Sequence, residues 1–178
     1  MQLVILDRDG VINEDSEDFI KSPDAWQAIP GSPEAIARLT HANYRVVVAT
    51  NQSGLGRGLL DIGTFNRINE KMHREISNAG GRIEGIFYCP HRPDEACQCR
   101  KPKPGLFREI CRRLHCDLDG VPAIGDSLRD LQAAQAVGAR AILVRTGKGH
   151  NTELKLKNPD DVEVYDDLAS VVDALLNA

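Results

Sequence analysis

The chain has 178 residues and a formal net charge of −4, with 42% hydrophobic and 27% charged residues. That length suits a single domain able to bury a core, and the mildly acidic balance offers no nucleic-acid or membrane surface, so an anionic ligand would need positive charge supplied locally. No apolar run approaches the ~20 residues of a membrane span, and no leader pattern precedes the first apolar strand.

Gln2 to Leu6, "QLVIL", reads as a buried strand that runs into Asp7. "GSPEAIARLTHAN" reads as a helix, with Ser32 as its cap and Pro33 at the first helical position. "YRVVVAT" is a second buried strand. Asp61 can cap the amphipathic run "FNRINEKMHREISNA", and Gly80 and Gly81 stop it. "IEGIFYC" is a third strand and leads into a cysteine-rich stretch. Pro104 opens the helix "GLFREICRRL". "VPAIGD" is a strand, "LRDLQAAQAVG" a helix stopped by Gly138, and "ARAILVRTG" another strand. The polar stretch from Thr146 to Asp161 is expected to be a loop. A short strand near Val162–Val164 and a helix from Asp167 to Asn177 follow.

Strands alternate with helices, and the strands are apolar on both faces. This is the pattern of a parallel sheet covered on each side. The expected fold is α/β and Rossmann-like, with one domain over residues 1–178.

Open parallel sheets bind ligands beyond the carboxyl ends of their strands. Those ends carry Asp7 and Asp9, then Thr50 and Asn51, then Asp126 with Asp130 close behind. Acids held together repel, and a cation relieves them; carboxylate oxygens suit Mg²⁺, which commonly also binds substrate phosphate. Asp7 and Asp9 are two apart, so an extended backbone points both carboxylates the same way. One ionised acid can attack phosphorus, while the other, protonated, supplies the leaving group with a proton. Thr50 can donate a hydrogen bond to a transferring phosphoryl group. Gly54, Gly56 and Gly58 are expected to let their loop approach a ligand.

In order, "LDRDG", "ATNQSG", "RKPKPG" and "GDSLRD" resemble the four motifs of the haloacid dehalogenase superfamily of aspartyl-phosphate phosphotransferases. The resemblance implies that Asp7 is the nucleophile and Asp9 the general acid/base, and that Thr50 and Lys101 bind the phosphoryl group. It implies Mg²⁺ held by Asp7, Asp126 and the main-chain carbonyl of Asp9, with Asp130 outside the ligand set.

Cys89, His91, Cys97 and Cys99 follow C-x-H-x5-C-x-C. Four such ligands suit tetrahedral Zn²⁺ with no place for water, a structural site. The odd total of five cysteines and the crowding of three of them favour a metal over disulfides, and a reducing, cytoplasmic setting. A zinc cross-link would fix Arg100 and Lys101, Lys101 as a point charge and Arg100 as a planar fork for a second phosphate or a sugar hydroxyl. Within the superfamily, this loop before "RKPKPG" resembles that of the D-glycero-D-manno-heptose 1,7-bisphosphate 7-phosphatases and of the related histidinol-phosphate phosphatases.

By that resemblance, "NEDSEDFIKSPDAWQAIPG" forms a small flap with no large cap domain, and Trp26 is either its anchor or a ligand contact. Asp15 and Asp18 of the flap, with Asn51, Gln52, Ser53 and Arg100, are the expected substrate contacts. Heptose bisphosphate is the leading substrate, on the strength of the 178-residue chain, the acidic flap and Arg100. Histidinol phosphate is the alternative, and a non-catalytic zinc-stabilised binding module the non-enzyme reading. The partner is then a small phosphorylated sugar and the enzyme a monomer. Cys111 and Cys116 read as core or surface thiols, and His41, His73 and His115 have no convergent partners. Near His150, Arg145 and Lys148 are expected to be able to meet an anionic group.

Overall fold

The computed structural model describes residues 2–158 and 162–177. In chain order the elements are β1 (Gln2–Leu6), α1 (Ser32–His41), β2 (Tyr44–Asn51), α2 (Ser53–Gly56), α3 (Ile62–Asn78), β3 (Gly85–Cys89), α4 (Gly105–Leu114), β4 (Pro122–Gly125), α5 (Leu128–Gln135), β5 (Arg140–Val144), α6 (Gly149–Glu153), β6 (Glu163–Tyr165) and α7 (Leu168–Leu176). The strands form one sheet in the order β3-β2-β1-β4-β5-β6, and every pairing is parallel.

The two-sided apolar pattern has a direct structural counterpart. Val4 and Leu6 of β1, Val46 and Val48 of β2, and Ile142 and Val144 of β5 enter one core with α1, α3 and α7. Their neighbours Leu3, Ile5, Val47, Ala49, Ala141 and Leu143 enter a second core with α4 and α5. Successive side chains of a strand point to opposite faces, so burial on both sides demands continuous apolar runs.

Asp61 caps α3 by accepting from Thr64 N at 2.7 Å, and Asp167 caps α7 by accepting from Ser170 N at 2.8 Å. Ser32 is not a cap. Gly31 takes the cap position with φ 87°, and the buried Ser32 hydroxyl donates to Val11 O at 2.8 Å. A left-handed cap residue suits glycine, which frees the serine to tie helix to turn. The stretch after Thr146 is not only a loop, because it contains α6. That helix has too few residues for an apolar period, and Thr152 anchors it by donating to Asp126 O at 2.8 Å. Residues 159–161 of the expected loop lie outside the described residues.

Candidate active site

The chain runs outward through β1, β2 and β3, then crosses back to place β4 on the other side of β1. Ligands bind at such a switch point. Asp7 follows β1 and Asp126 follows β4, and Asp7 N donates to Ile124 O at 2.9 Å across the seam. A cavity of about 320 Å³ opens here, with Asp7, Asp9, Thr50, Lys101, Asp126 and Asp130 among its walls. The expected catalytic residues therefore meet in one place.

Its floor is strongly acidic. Asp7, Asp126 and Asp130 each offer a carboxylate oxygen, all within 4.8 Å of one another. Burial, and then Asp130, push the Asp7 carboxyl well above the usual range, although Lys101 pulls the other way. Burial and Asp130 likewise push Asp126 up to about 7, against a bond from Lys148 N to its Oδ2 at 2.8 Å. Asp130 differs. Burial pushes it up, but Lys101 and Ser127 together hold it below the ordinary carboxylate range. Its Oδ1 lies 2.5 Å from Lys101 Nζ, and its Oδ2 accepts from Ser127 N and Oγ at 3.0 and 2.5 Å. Both of its oxygens are thus engaged, whereas Asp7 shares Lys101 with it and Asp126 accepts from the main-chain N–H of Lys148.

These residues fit a divalent cation. Two raised carboxyls are what its removal would leave behind. Gly10, at φ 84°, and Gly147, at φ 57°, crowd Asp126 so closely that a Cβ on either would collide with its Oδ2. The backbone is shaped around that oxygen.

Lys101 is buried among three acceptors. Its Nζ donates to Ala49 O at 2.7 Å and lies 3.0 Å from Asp7 Oδ1, besides its contact with Asp130. Burial works against its charge, yet the two aspartates raise its pKa above the ordinary lysine value. Asn51, an expected substrate contact, lines the cavity but spends its amide on Lys101: Nδ2 donates to Lys101 O and Oδ1 accepts from Lys101 N, each at 3.0 Å. Gln52 Nε2 donates to Thr50 Oγ1 and to Asp9 Oδ2, both at 2.9 Å, leaving the Thr50 hydroxyl hydrogen free to donate. Asp9 also accepts from Asn13 Nδ2 at 2.8 Å and from the fork of Arg8.

The rim is cationic. Arg57, Arg100, Arg129 and Lys148 line the cavity from four separate segments. Burial, then Arg129, lowers the Arg100 pKa. Of these cations, Arg57 and Arg129 escape sequence reasoning, because nothing local distinguishes them from solvated surface arginines. From the flap, Asp15, Ser16, Glu17, Phe19 and Ile20 reach the cavity. Asp18 does not: it is exposed and stands outside the lining, so Glu17 takes the place expected for it. Ser53 lines the wall as expected. Trp26 is wholly buried and anchors the flap, with Lys71 Nζ donating to its carbonyl at 2.7 Å. Arg145 turns away from the site to Glu153 and Asp166, and only Lys148 of that segment enters, paired with Asp15 at 2.9 Å. Of the glycines after β2, Gly58 has open space around it at φ 68°, and Gly56 is the tightly packed one. A Cβ on Gly56 would meet the carbonyl of Pro90, in the cysteine loop.

That loop closes on itself. Cys89 Sγ lies 3.1 Å from Cys99 Sγ and 3.8 Å from Cys97 Sγ, and His91 Nδ1 lies 3.2 Å from Cys99 Sγ and 3.5 Å from Cys89 Sγ. Zinc–sulfur bonds of ~2.3 Å in a tetrahedron imply edges of about 3.7 Å, close to these separations. Burial and the neighbouring Cys99 thiol push Cys89 up to about 12.

The HAD-hydrolase-like family model matches residues 98–171, and that of polynucleotide kinase 3 phosphatase matches residues 2–127. Fold, acid pair and buried lysine together define a phosphoric monoester hydrolase of the haloacid dehalogenase class. The D-glycero-β-D-manno-heptose-1,7-bisphosphate 7-phosphatase of Bordetella bronchiseptica is 57% identical, covering 99% of this chain and 98% of its own. That of Pseudomonas aeruginosa is 49% identical, covering 98% and 97%. The crystal structure of a D,D-heptose 1,7-bisphosphate phosphatase from B. bronchiseptica, complexed with magnesium and phosphate, superposes with a TM-score of 0.97 at 56% identity, covering 99% of each chain. The enzyme of that name from Burkholderia thailandensis gives 0.80 at 46%, covering all of both chains. The chain belongs to the D-glycero-β-D-manno-heptose-1,7-bisphosphate 7-phosphatase family.

Proposed function

We propose that this phosphatase removes the 7-phosphate of D-glycero-β-D-manno-heptose 1,7-bisphosphate, through a phosphoryl group carried transiently on Asp7. The β anomer follows the names of the relatives. The observation that carries the bisphosphate reading is the division of one cavity into an acidic floor and a cationic rim. A floor of acids with one buried lysine suits the reacting phosphate, and four rim cations suit the second.

Asp7 Oδ attacks phosphorus, and the bond from phosphorus to the sugar oxygen breaks. Asp9 gives its proton to that departing oxygen. Water then attacks the phosphorus held on Asp7, its proton passes to Asp9, and the Asp7–phosphorus bond breaks to release phosphate. Lys101 and Thr50 stabilise the equatorial oxygens during both displacements. Asp7, Asp126 and the Asp9 carbonyl would hold Mg²⁺, which when bound offsets the negative charge of the phosphoryl group. Asp130 stays outside the ligand set, holding Lys101. Cys89, His91, Cys97 and Cys99 would hold a structural Zn²⁺ that keeps Arg100 and Lys101 in place. The reading carries with it a monomer working in the cytoplasm.

The test is phosphate release from heptose 1,7-bisphosphate and from histidinol phosphate, each with Mg²⁺, with the heptose product located by ³¹P NMR. The heptose 1-phosphate should be the product, and the heptose substrate should have the higher kcat/KM. Borohydride trapping after an acid quench should convert Asp7 to homoserine. Preference for histidinol phosphate would overturn the substrate, and an unmodified Asp7 during turnover would overturn the covalent step.

A further inference from the structure

Arg8 stands between the two aspartates of the first motif, yet its side chain is only 1% exposed. Its Nε donates to Asp9 Oδ1 at 3.1 Å and its Nη2 to Asp9 Oδ2 at 3.2 Å. The remaining nitrogen, Nη1, is buried with no partner. The guanidinium carbon lies 5.9 Å from the centre of the buried Phe65 ring, which packs on Tyr88 at 4.7 Å between centroids. Burying such a cation against a single carboxylate is costly, and an apolar side chain of similar size would commonly serve stability as well or better. A stability role alone accounts poorly for it.

The geometry at Asp9 supplies another role. Oδ1 accepts from Arg8 Nε and Asn13 Nδ2, and Oδ2 from Arg8 Nη2 and Gln52 Nε2. A carboxylate has about four acceptor positions, and here all are occupied. Asn13 and Gln52 each grip one oxygen. Only the Arg8 fork spans both, so it sets the plane of the carboxyl group. Phe65 and the surrounding core hold the fork itself.

We infer that Arg8 is a positioning residue for the acid–base step, fixing the orientation from which the Asp9 proton reaches the departing sugar oxygen. The inference rests on the proposed role of Asp9. Asn13 and Gln52 are neutral amides that also serve Glu14 O and Thr50 Oγ1, so either can turn away. Arg8, locked under Phe65, stays. The proton leaves Asp9 for the sugar oxygen in the first displacement and returns from water in the second. Arg8 is absent from the cavity wall, so it is placed to act through Asp9.

The test compares two leaving groups. A sugar alkoxide needs a proton as it departs, and p-nitrophenolate hardly does. Arg8→Met should lower kcat/KM, which reports the first displacement and not the water step common to both esters, roughly 10²-fold on heptose 1,7-bisphosphate, with that of p-nitrophenyl phosphate falling by less than about 10-fold. Arg8→Lys keeps the charge but presents a point in place of a fork, and it should recover only part of the loss. Equal falls on the two substrates would make Arg8 merely structural and overturn the inference, as would an unchanged kcat/KM on the bisphosphate. If Arg8→Met does not fold by circular dichroism, Arg8→Lys decides by the same inequality. A wild-type enzyme inactive on both esters would instead sink the phosphatase reading, so the two failures are distinguishable.

Discussion

Replacing Lys101 by methionine keeps the length and bulk of the side chain and removes its charge. The Nζ it deletes donates to Ala49 O at 2.7 Å and neutralises Asp7 and Asp130 at 3.0 and 2.5 Å, where no side chain of the three is more than 13% exposed. Breaking a buried pair by removing one partner costs ~3–5 kcal/mol. A second route gives a ceiling. A freed carboxyl can always escape by taking a proton, at ~1.36 kcal/mol per pH unit above its ordinary ~3.9, which is about 5 kcal/mol at about pH 7.5 and about 2 at about pH 5.5. The sign follows from Asp130, whose carboxyl Lys101 and Ser127 hold below the ordinary range against burial. Such a group stabilises the fold above its unfolded pKa, and the contribution fades as pH falls through the folded value. The deficit of Lys101→Met should therefore be large near neutrality and shrink in acid. Urea unfolding followed by circular dichroism, in Mg²⁺-free buffer without strong chelators, measures it at both pH values. In melting temperature the loss near neutrality is roughly 6–20 °C. A deficit below about 1 kcal/mol, or one equal at the two pH values, would refute the reasoning.

Three further outcomes are expected. Gly10→Ala puts a Cβ against Asp126 Oδ2 at φ 84°, so the Mg²⁺ concentration for half-maximal activity should rise about 10-fold or more, which a metal titration of phosphate release checks. Elemental analysis of the wild type should find roughly one equivalent of zinc, and Cys99→Ser should lose it along with on the order of 5 kcal/mol of stability; zinc-free protein that melts and turns over normally would remove its structural role. Burial and Asp130 push Asp126 up to about 7, so without metal the folded state binds its proton more tightly than the unfolded chain. Metal-free stability should then fall as pH rises from about 4 to about 7, with Mg²⁺ abolishing the fall; thermal melts with and without Mg²⁺ that run parallel would contradict it.

The sheet was legible because β1, β2 and β5 carry unbroken apolar runs, Leu3–Leu6, Val46–Ala49 and Ala141–Val144, the pattern of burial on both faces. The acids were legible because "DRDG" and "GDSLRD" end strands that the topology sets side by side. What stayed hidden depends on contacts between distant segments. Arg57 and Arg129 look like surface charges until the fold brings the loop after β2 and the start of α5 to one opening. Asp18 and Glu17 are adjacent acids, and only the folded flap shows that Glu17 is the one on the cavity wall. α6 forms because Thr152 finds the carbonyl of Asp126, a tertiary bond with no local signature. One signal was available and unread: Ser127 and Asp130 stand three apart ahead of an apolar run, the spacing of a helix cap.

That cap has a consequence for turnover. One carboxylate, Asp130, both starts α5 through Ser127 and restrains the ammonium of Lys101. All three hydrogens of that ammonium already have acceptors, so an arriving phosphoryl oxygen gains one only if an existing acceptor yields it. Whenever Asp130 is the one to yield, the loosening reaches the opening turn of α5, whose Ser127 and Arg129 line the same cavity. The rigidity of that turn is then a gauge of whether the pocket is filled.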